Sequence, residues 1–199
     1  MRDLEIRGAG NLLGPEQHGF ITSVGFEMYC RLLEESVQDL KGQHLQKPPE
    51  PVIDLSVHAY IDSEFVPDAT QRIELYKRIM AVSSRESADQ LADEIMDRFG
   101  DLPPAVDNLL QVARVKVEAR MLGIAQIHSL NDLIVLKLLE GISFDREIFA
   151  GLVRKYRGRL AYQHGRVPQL KILIRNRTQE QALQMLLEVV RDLQQEVAS

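Results

Sequence analysis

The pattern of apolar and polar residues changes its period between residues 52 and 82. From 52 to 60, apolar and polar side chains alternate, which is typical of a half-buried strand. Apolar residues then recur at helical spacing after Asp68, whose carboxylate can cap the first turn of a helix that begins near Ala69. We predict that this strand and this helix share a core. The predicted apolar face of the helix contains Ile73, Leu75, Tyr76, Ile79 and Met80.

The periodicity after residue 82 predicts four more helices and four more strands. The strands are expected at 124–128, 133–138, 159–163 and 170–175. A short polar turn separates the first two strands, which predicts a hairpin. Two of the helices are expected to bury broad apolar faces that reach Met121 and Val197 respectively. The helix starts are predicted at Ser83 or Ser84, at Pro103-Pro104, at Ser143 or Asp145, and at a capping box of Thr178 with Gln181.

The chain divides into three regions before any function is considered. An amphipathic helix is predicted over 24–41, and the polar segment QHLQKPPE that follows it has the composition of a linker. We therefore place the regions at 1–22, 23–50 and 51–199. Runs of helices and of short strands, without regular alternation of the two, indicate an α+β fold. The expected C-terminal domain is mostly helical and packs on a small mixed or antiparallel sheet.

Charge is distributed unevenly along the chain. The formal net charge is −5, and the segment 86–101 accounts for all of it, because six acidic residues there oppose only Arg98. The segment 148–179 has the opposite bias, with eight basic residues and no acidic one. Such a domain is electrically polar.

The candidate chemistry is sparse. Cys30 is the single cysteine, the five histidines show no metal-ligand spacing, and no phosphate-binding GxxxxGK[ST] loop occurs. We therefore expect no catalytic residue, no metal and no cofactor in this chain. Since the sequence also lacks a signal peptide and a long apolar run, we expect a cytoplasmic protein with no membrane contact.

Two charged surfaces remain as alternatives for function. The carboxylates of Glu94 and Asp97 lie one helical turn apart on the acidic face of the second predicted helix, and they suit a basic partner or simply a solvated surface. The basic segment offers a nucleic-acid-binding module, in which tyrosines at 156 and 162 could stack on bases. Its candidate contacts are Arg157, Arg159, Arg166 and Arg175.

Several segments resemble one family specifically. DLEIRGAGNLLG, EQHG and VGFEMYCRLLEE, followed by FVPDATQRIELYKRI and DRFGDLPP, are similar to the C-terminal region of bacterial transcription-repair coupling factors. The resemblance implies that residues 1–22 are the tail of a helicase motor and that 51–199 is a regulatory domain. It also places Arg7 and Gln17 in a motif that couples ATP hydrolysis to DNA translocation.

The resemblance further implies partners. The whole protein is expected to use ATP and Mg, and to bind double-stranded DNA, RNA polymerase and the damage-recognition ATPase of nucleotide excision repair. Glu94 and Asp97 match interface positions at which the C-terminal domain docks on the domain that binds this ATPase. The regulatory domain is therefore expected to mask that binding site.

Overall fold

A computed structural model describes residues 50–198 and shows five helices and a five-stranded sheet in that range. The predicted region 1–22, and the predicted region 23–50 except for its last residue, lie outside the described residues. The strands are β1 Val52–Asp54, β2 Ile124–Leu130, β3 Leu133–Leu138, β4 Leu160–Gln163 and β5 Gln169–Leu173. The helices are α1 Ala69–Met80, α2 Arg85–Phe99, α3 Pro104–Met121, α4 Arg146–Lys155 and α5 Gln179–Ala198.

The sheet is mixed, with the strand order β1-β2-β3-β5-β4. The pair β2 and β3 forms the predicted antiparallel hairpin, and β5 pairs antiparallel with both β3 and β4. Only β1 runs parallel to its neighbour β2. The α+β prediction is confirmed. The sheet is mixed because α1, α2 and α3 connect β1 to β2, and this long crossover allows the two strands to run parallel.

The main core lies between one face of the sheet and the helices α3, α4 and α5. Alternate strand residues point into this core, because neighbouring side chains on a strand face opposite ways. Leu136 of β3 lies opposite Ile127 of β2 and Leu170 of β5, and all three are buried. On the helix side the core contains Leu183, Leu186, Val190 and Leu193 of α5.

A second core holds α1 and α2 against the first half of α3. Leu75 and Ile79 of α1 and Ile95 of α2 pack there with Leu110 of α3. The long helix α3 thus contributes to both cores, as its broad apolar face predicts. The charged residues of α2 lie on the sides that do not face this second core.

One ion pair with a buried carboxylate lies where the two cores meet; the arginine is 38% exposed. Glu118 of α3 is fully buried at 0% exposure, and it accepts a hydrogen bond from Nε of Arg85, the first residue of α2. Arg85 also donates from Nη2 to Gln194 of α5 at 2.7 Å. A single guanidinium therefore joins α2, α3 and α5.

The helix starts follow the predicted capping chemistry. Asp68 accepts from the amide of Gln71 at 2.8 Å, and Ser84 rather than Ser83 caps α2. Asp145 rather than Ser143 caps α4. The capping box before α5 is also confirmed, since Thr178 and Gln181 exchange two hydrogen bonds of 3.2 Å. These caps depend on neighbours within three residues, so the sequence contains all the information they need.

The strand predicted over 52–60 is shorter than expected, because its pairing with β2 stops at Asp54. The alternation of buried and exposed side chains continues past β1, but the backbone finds other partners. The amide of Tyr60 donates to the carbonyl of Ala105 at 3.2 Å, and the side chain of Asn108 donates to the carbonyl of His58 at 3.0 Å. The segment is therefore an extended loop fastened to α3.

Three residues assigned to apolar faces are exposed instead. Ile73 lies on the solvent side of α1, whose buried face is centred on Leu75 and Ile79. Met121 and Val197 stand at the last turns of α3 and α5 and are also exposed. For Met121 and Val197, the periodic pattern extends one turn beyond the surface that the neighbouring elements cover.

Candidate functional site

The charged face of α2 is the part of the described structure that best matches the predicted site. Ser84 caps the helix through a reciprocal bond with Ser87. The helix ends at Gly100, whose φ of 90° is a conformation that favours glycine. Its apolar side is buried in the second core, which leaves the acidic residues at its flanks and on its outer side. The core residues of α2 are Ala88, Leu91, Ala92 and Ile95.

Both flanks of α2 carry ion pairs to neighbouring helices. Glu94 forms a two-pronged pair with Arg78 of α1, in which Nη1 donates to Oε1 at 2.5 Å and Nη2 donates to Oε2. On the other flank, Asp89 accepts from Arg114 of α3 at 2.8 Å. These two acids therefore connect α2 to α1 and α3, and their charges are already partnered.

The Glu94 carboxylate has a second cation nearby. Arg98, one turn along α2, approaches Oε1 of Glu94 at 3.4 Å. The hydrogen bond from Arg78, with a smaller contribution from Arg98, lowers the pKa of Glu94 to about 2. Glu94 is thus held ionised between two arginines, although 40% of its side chain remains exposed.

Asp97 differs from Glu94 in its surroundings. It is exposed, as is Asp93 one turn earlier, and within residues 50–198 neither carboxylate takes part in an ion pair. The pattern of burial along α2 turns both side chains away from the second core. The structure therefore places Glu94 and Asp97 one turn apart on adjoining sides of the helix, with Asp97 as the unpartnered charge.

The basic segment does not form one continuous patch. Arg159 precedes β4 and Arg175 follows β5, and these antiparallel strands bring the two residues to the same end of the sheet. Arg157 also lies at this end, in the turn after α4. Arg166 lies in the turn between β4 and β5, at the opposite end of both strands.

Two of the four basic candidates have acidic neighbours. Nε of Arg166 lies 2.9 Å from Oε1 of Glu140, and Nε of Arg175 lies 4.0 Å from Oδ2 of Asp132. Both pairs are exposed, so they only partly neutralise the surface. Nucleic-acid binding by this segment stays a prediction.

The remaining predictions concern the translocation-coupling residues, a metal site and a membrane-spanning helix. Arg7 and Gln17 lie outside the described residues. Across 50–198, no group of three or more potential ligands is placed to hold a metal ion. In the same range, every helix is too short or too polar to cross a membrane.

No pattern in the sequence indicates Arg78 as part of the site. Arg98 could have been found, because it follows Glu94 at the i, i+4 spacing at which opposite charges meet on a helix. Arg78 is 16 residues away on another helix, and it meets Glu94 only because α1 and α2 pack together. No local pattern contains that information.

We expect the Glu94–Arg78 pair to give a pH dependence below pH 5. The folded pKa of Glu94 lies below its ordinary value of 4.5, so the pair stabilises the fold above that value. This contribution is lost as the pH falls through about 2. Carboxyl-carbon NMR should show a Glu94 midpoint near 2 that moves towards 4.5 in Arg78→Ala. A wild-type midpoint near 4.5 would contradict the ion pair.

The fold and the site together define a small α+β domain distinguished by a charged helix face. The TRCF domain family matches residues 55–147, from the loop after β1 to the start of α4. The chain belongs to the transcription-repair-coupling factor family and corresponds to its C-terminal domain.

Individual relatives show the extent of the similarity. The transcription-repair-coupling factor of Bacillus subtilis (strain 168) is 43% identical over 144 residues, which is 72% of this chain and 12% of the relative. That of Staphylococcus haemolyticus (strain JCSC1435) is 43% identical over 129 residues, or 64% of this chain and 11% of the relative. The chain thus spans about an eighth of the length of these relatives.

A solved structure supports the fold assignment. The crystal structure of a C-terminal domain of transcription-repair coupling factor has a TM-score of 0.67 and 20% sequence identity. The match covers 74% of this chain and 94% of the solved chain. At this identity the likeness shows a shared fold, while the family assignment rests on the sequence relatives.

Proposed function

We propose that this domain regulates a transcription-repair coupling factor by docking on another domain of the same protein. The covered domain is the one that binds the damage-recognition ATPase of nucleotide excision repair, so docking masks that binding site. In this proposal the whole protein uses ATP and Mg to translocate on double-stranded DNA and to displace stalled RNA polymerase. Arg7 and Gln17 then couple ATP hydrolysis to translocation.

The observation that carries the proposal is the outward charge of α2. Asp97 is exposed and has no ion-pair partner within residues 50–198, and Glu94 is still 40% exposed beside it. The apolar side of the helix is locked in the second core and Gly100 ends it, so the helix presents these carboxylates on a rigid element. A rigid, unpartnered charge suits docking to a basic surface.

Docking through charged contacts of this kind is readily reversible. Charged contacts at an interface contribute orientation and association rate more than affinity, and they weaken with salt. A change of about 1.4 kcal/mol in the docking equilibrium already alters the open fraction tenfold where the closed form dominates. If a few such contacts hold the domain in its docked position, a repair ATPase of ordinary affinity can displace it and reach the masked site.

The test is binding of the repair ATPase to the full-length protein. We expect Asp97→Lys to raise binding about tenfold, because the new charge repels a basic docking surface. Glu94→Lys/Asp97→Lys should raise it further. Asp54→Lys, a reversal of an exposed acid on β1, is the matched control and should leave binding unchanged.

The thermal midpoint of each variant separates docking from folding. Glu94→Lys places a third cation beside Arg78 and Arg98, so its midpoint should fall, whereas Asp97→Lys should keep the wild-type value. If the ATPase binds wild type and Asp97→Lys equally well, the acidic face of α2 is a solvated surface and the proposal is wrong.

A further inference from the structure

We propose that Arg78 competes with the docking partner for the carboxylate of Glu94. This competition keeps the docked state weak enough to open. This inference rests on the proposed function, since it concerns the same face of α2. It adds a residue on a different helix and assigns that residue a direction of effect opposite to that of the acids.

The geometry of the pair leads to this inference. Arg78 presents both terminal nitrogens to both oxygens of Glu94, so the guanidinium and the carboxylate satisfy each other. Two-pronged pairs of this type are the strongest arginine–carboxylate arrangement. A cation that approaches Glu94 from another domain must therefore share the carboxylate with Arg78 or displace it.

The charge balance points the same way. Glu94 is flanked by Arg78 and Arg98, so these three side chains together carry one net positive charge. An approaching basic surface meets these cations together with the carboxylate, and Asp97, Asp93 and the nearby Glu74 offset them. The face that suits a basic partner thus contains its own counter-charge.

Exposure decides whether the competition is real. Arg78 is 38% exposed and Glu94 is 40% exposed, so the pair lies at the surface, where a partner can reach it and water screens it. Water screens even a two-pronged pair at this exposure, so a second cation can compete for the carboxylate. Glu118 with Arg85 shows the opposite case, because its carboxylate is fully buried and out of reach of another domain.

A set of variants of the full-length protein tests the inference by the sign of the effect. Arg78→Ala should tighten docking and so reduce binding of the repair ATPase roughly two- to fivefold, the range expected for one exposed ion pair. Arg78→Lys keeps the charge without the two-pronged bond and should fall between Arg78→Ala and wild type.

Two controls make the sign specific to Glu94. Arg114→Ala removes the same charge from the other flank of α2, where Arg114 pairs with Asp89, and it should leave binding unchanged. In a Glu94→Gln background, Arg78→Ala should have a smaller effect than in wild type, because the competed carboxylate is gone and only charge repulsion remains. Thermal midpoints report whether each variant is folded.

The outcomes separate this inference from the proposed function. If Asp97→Lys releases the repair ATPase site but Arg78→Ala leaves binding unchanged or raises it, Arg78 only braces α1 against α2 and the inference is overturned. Should Asp97→Lys also fail to release the site, docking at this face is wrong and the inference falls with it. A reduction by Arg114→Ala equal to that by Arg78→Ala would show a general charge effect and would overturn it too.

Discussion

Arg85→Met should destabilise the domain by about 3 kcal/mol, because it leaves the fully buried carboxylate of Glu118 without its cation. For a chain of this size, that loss corresponds to a fall of roughly 6–12 °C in the thermal midpoint. The hydrogen bond from Arg85 to Gln194 is lost in the same step, which frees α5 from α2. Urea unfolding of the chain measures the free energy directly.

A double variant distinguishes a lost ion pair from a lost side chain. Arg85→Met/Glu118→Leu removes both charges, and such replacements of buried pairs are often close to neutral, so most of the stability should return. Arg166→Met is the matched control, because its pair with Glu140 is exposed, and it should cost under about 0.5 kcal/mol. If Arg85→Met costs no more than Arg166→Met, the buried pair contributes nothing to joining the two cores.

Leu136→Ala should also cost about 3 kcal/mol, within the usual range of 2–5 for a buried leucine. Leu136 is 0% exposed on the central strand β3, between Ile127 and Leu170, so its removal leaves a cavity that the sheet cannot close. Leu130 of the neighbouring strand β2 is 51% exposed, and Leu130→Ala should cost well under 1 kcal/mol.

These two leucines test the assignment of the inner face of the sheet. They belong to one hairpin and undergo the same substitution, so the difference between them reports burial alone. Similar losses for both would mean that Leu130, on the opposite face of the sheet, is covered as well. Chemical unfolding of wild type and both variants under one condition gives the comparison.

Much of the fold could be predicted because its signals are local. The caps at Asp68 and Ser84 act within three residues, and the hairpin of β2 and β3 needs only its own alternation and turn. The end of β1 could not be predicted, because it depends on which backbone and side-chain groups of α3 lie nearby. The carbonyl of Ala105 and the side chain of Asn108 take over where the ladder stops.

The candidate site likewise has a part that local sequence predicts and a part that depends on tertiary packing. The acidic residues of α2 and their spacing were visible in the sequence, and so was the pairing of Glu94 with Arg98. The stronger partner, Arg78, was not visible, because it comes from α1 and depends on how two helices pack. Local spacing therefore indicated where charge lies, and tertiary structure decided which charges remain unpartnered.

The parallel pairing of β1 with β2 has a consequence for synthesis of the chain. Just beyond β1, the amide of Ser56 donates to Oγ of Ser129, 73 residues later. At roughly 5–20 residues per second, a ribosome needs on the order of 4–15 seconds to make the residues between them. During that time three helices can form and pack, while Ile53 has no strand to join. β1 is therefore made first but joins the sheet only after β2 has been made, and β3, β4 and β5 follow later still.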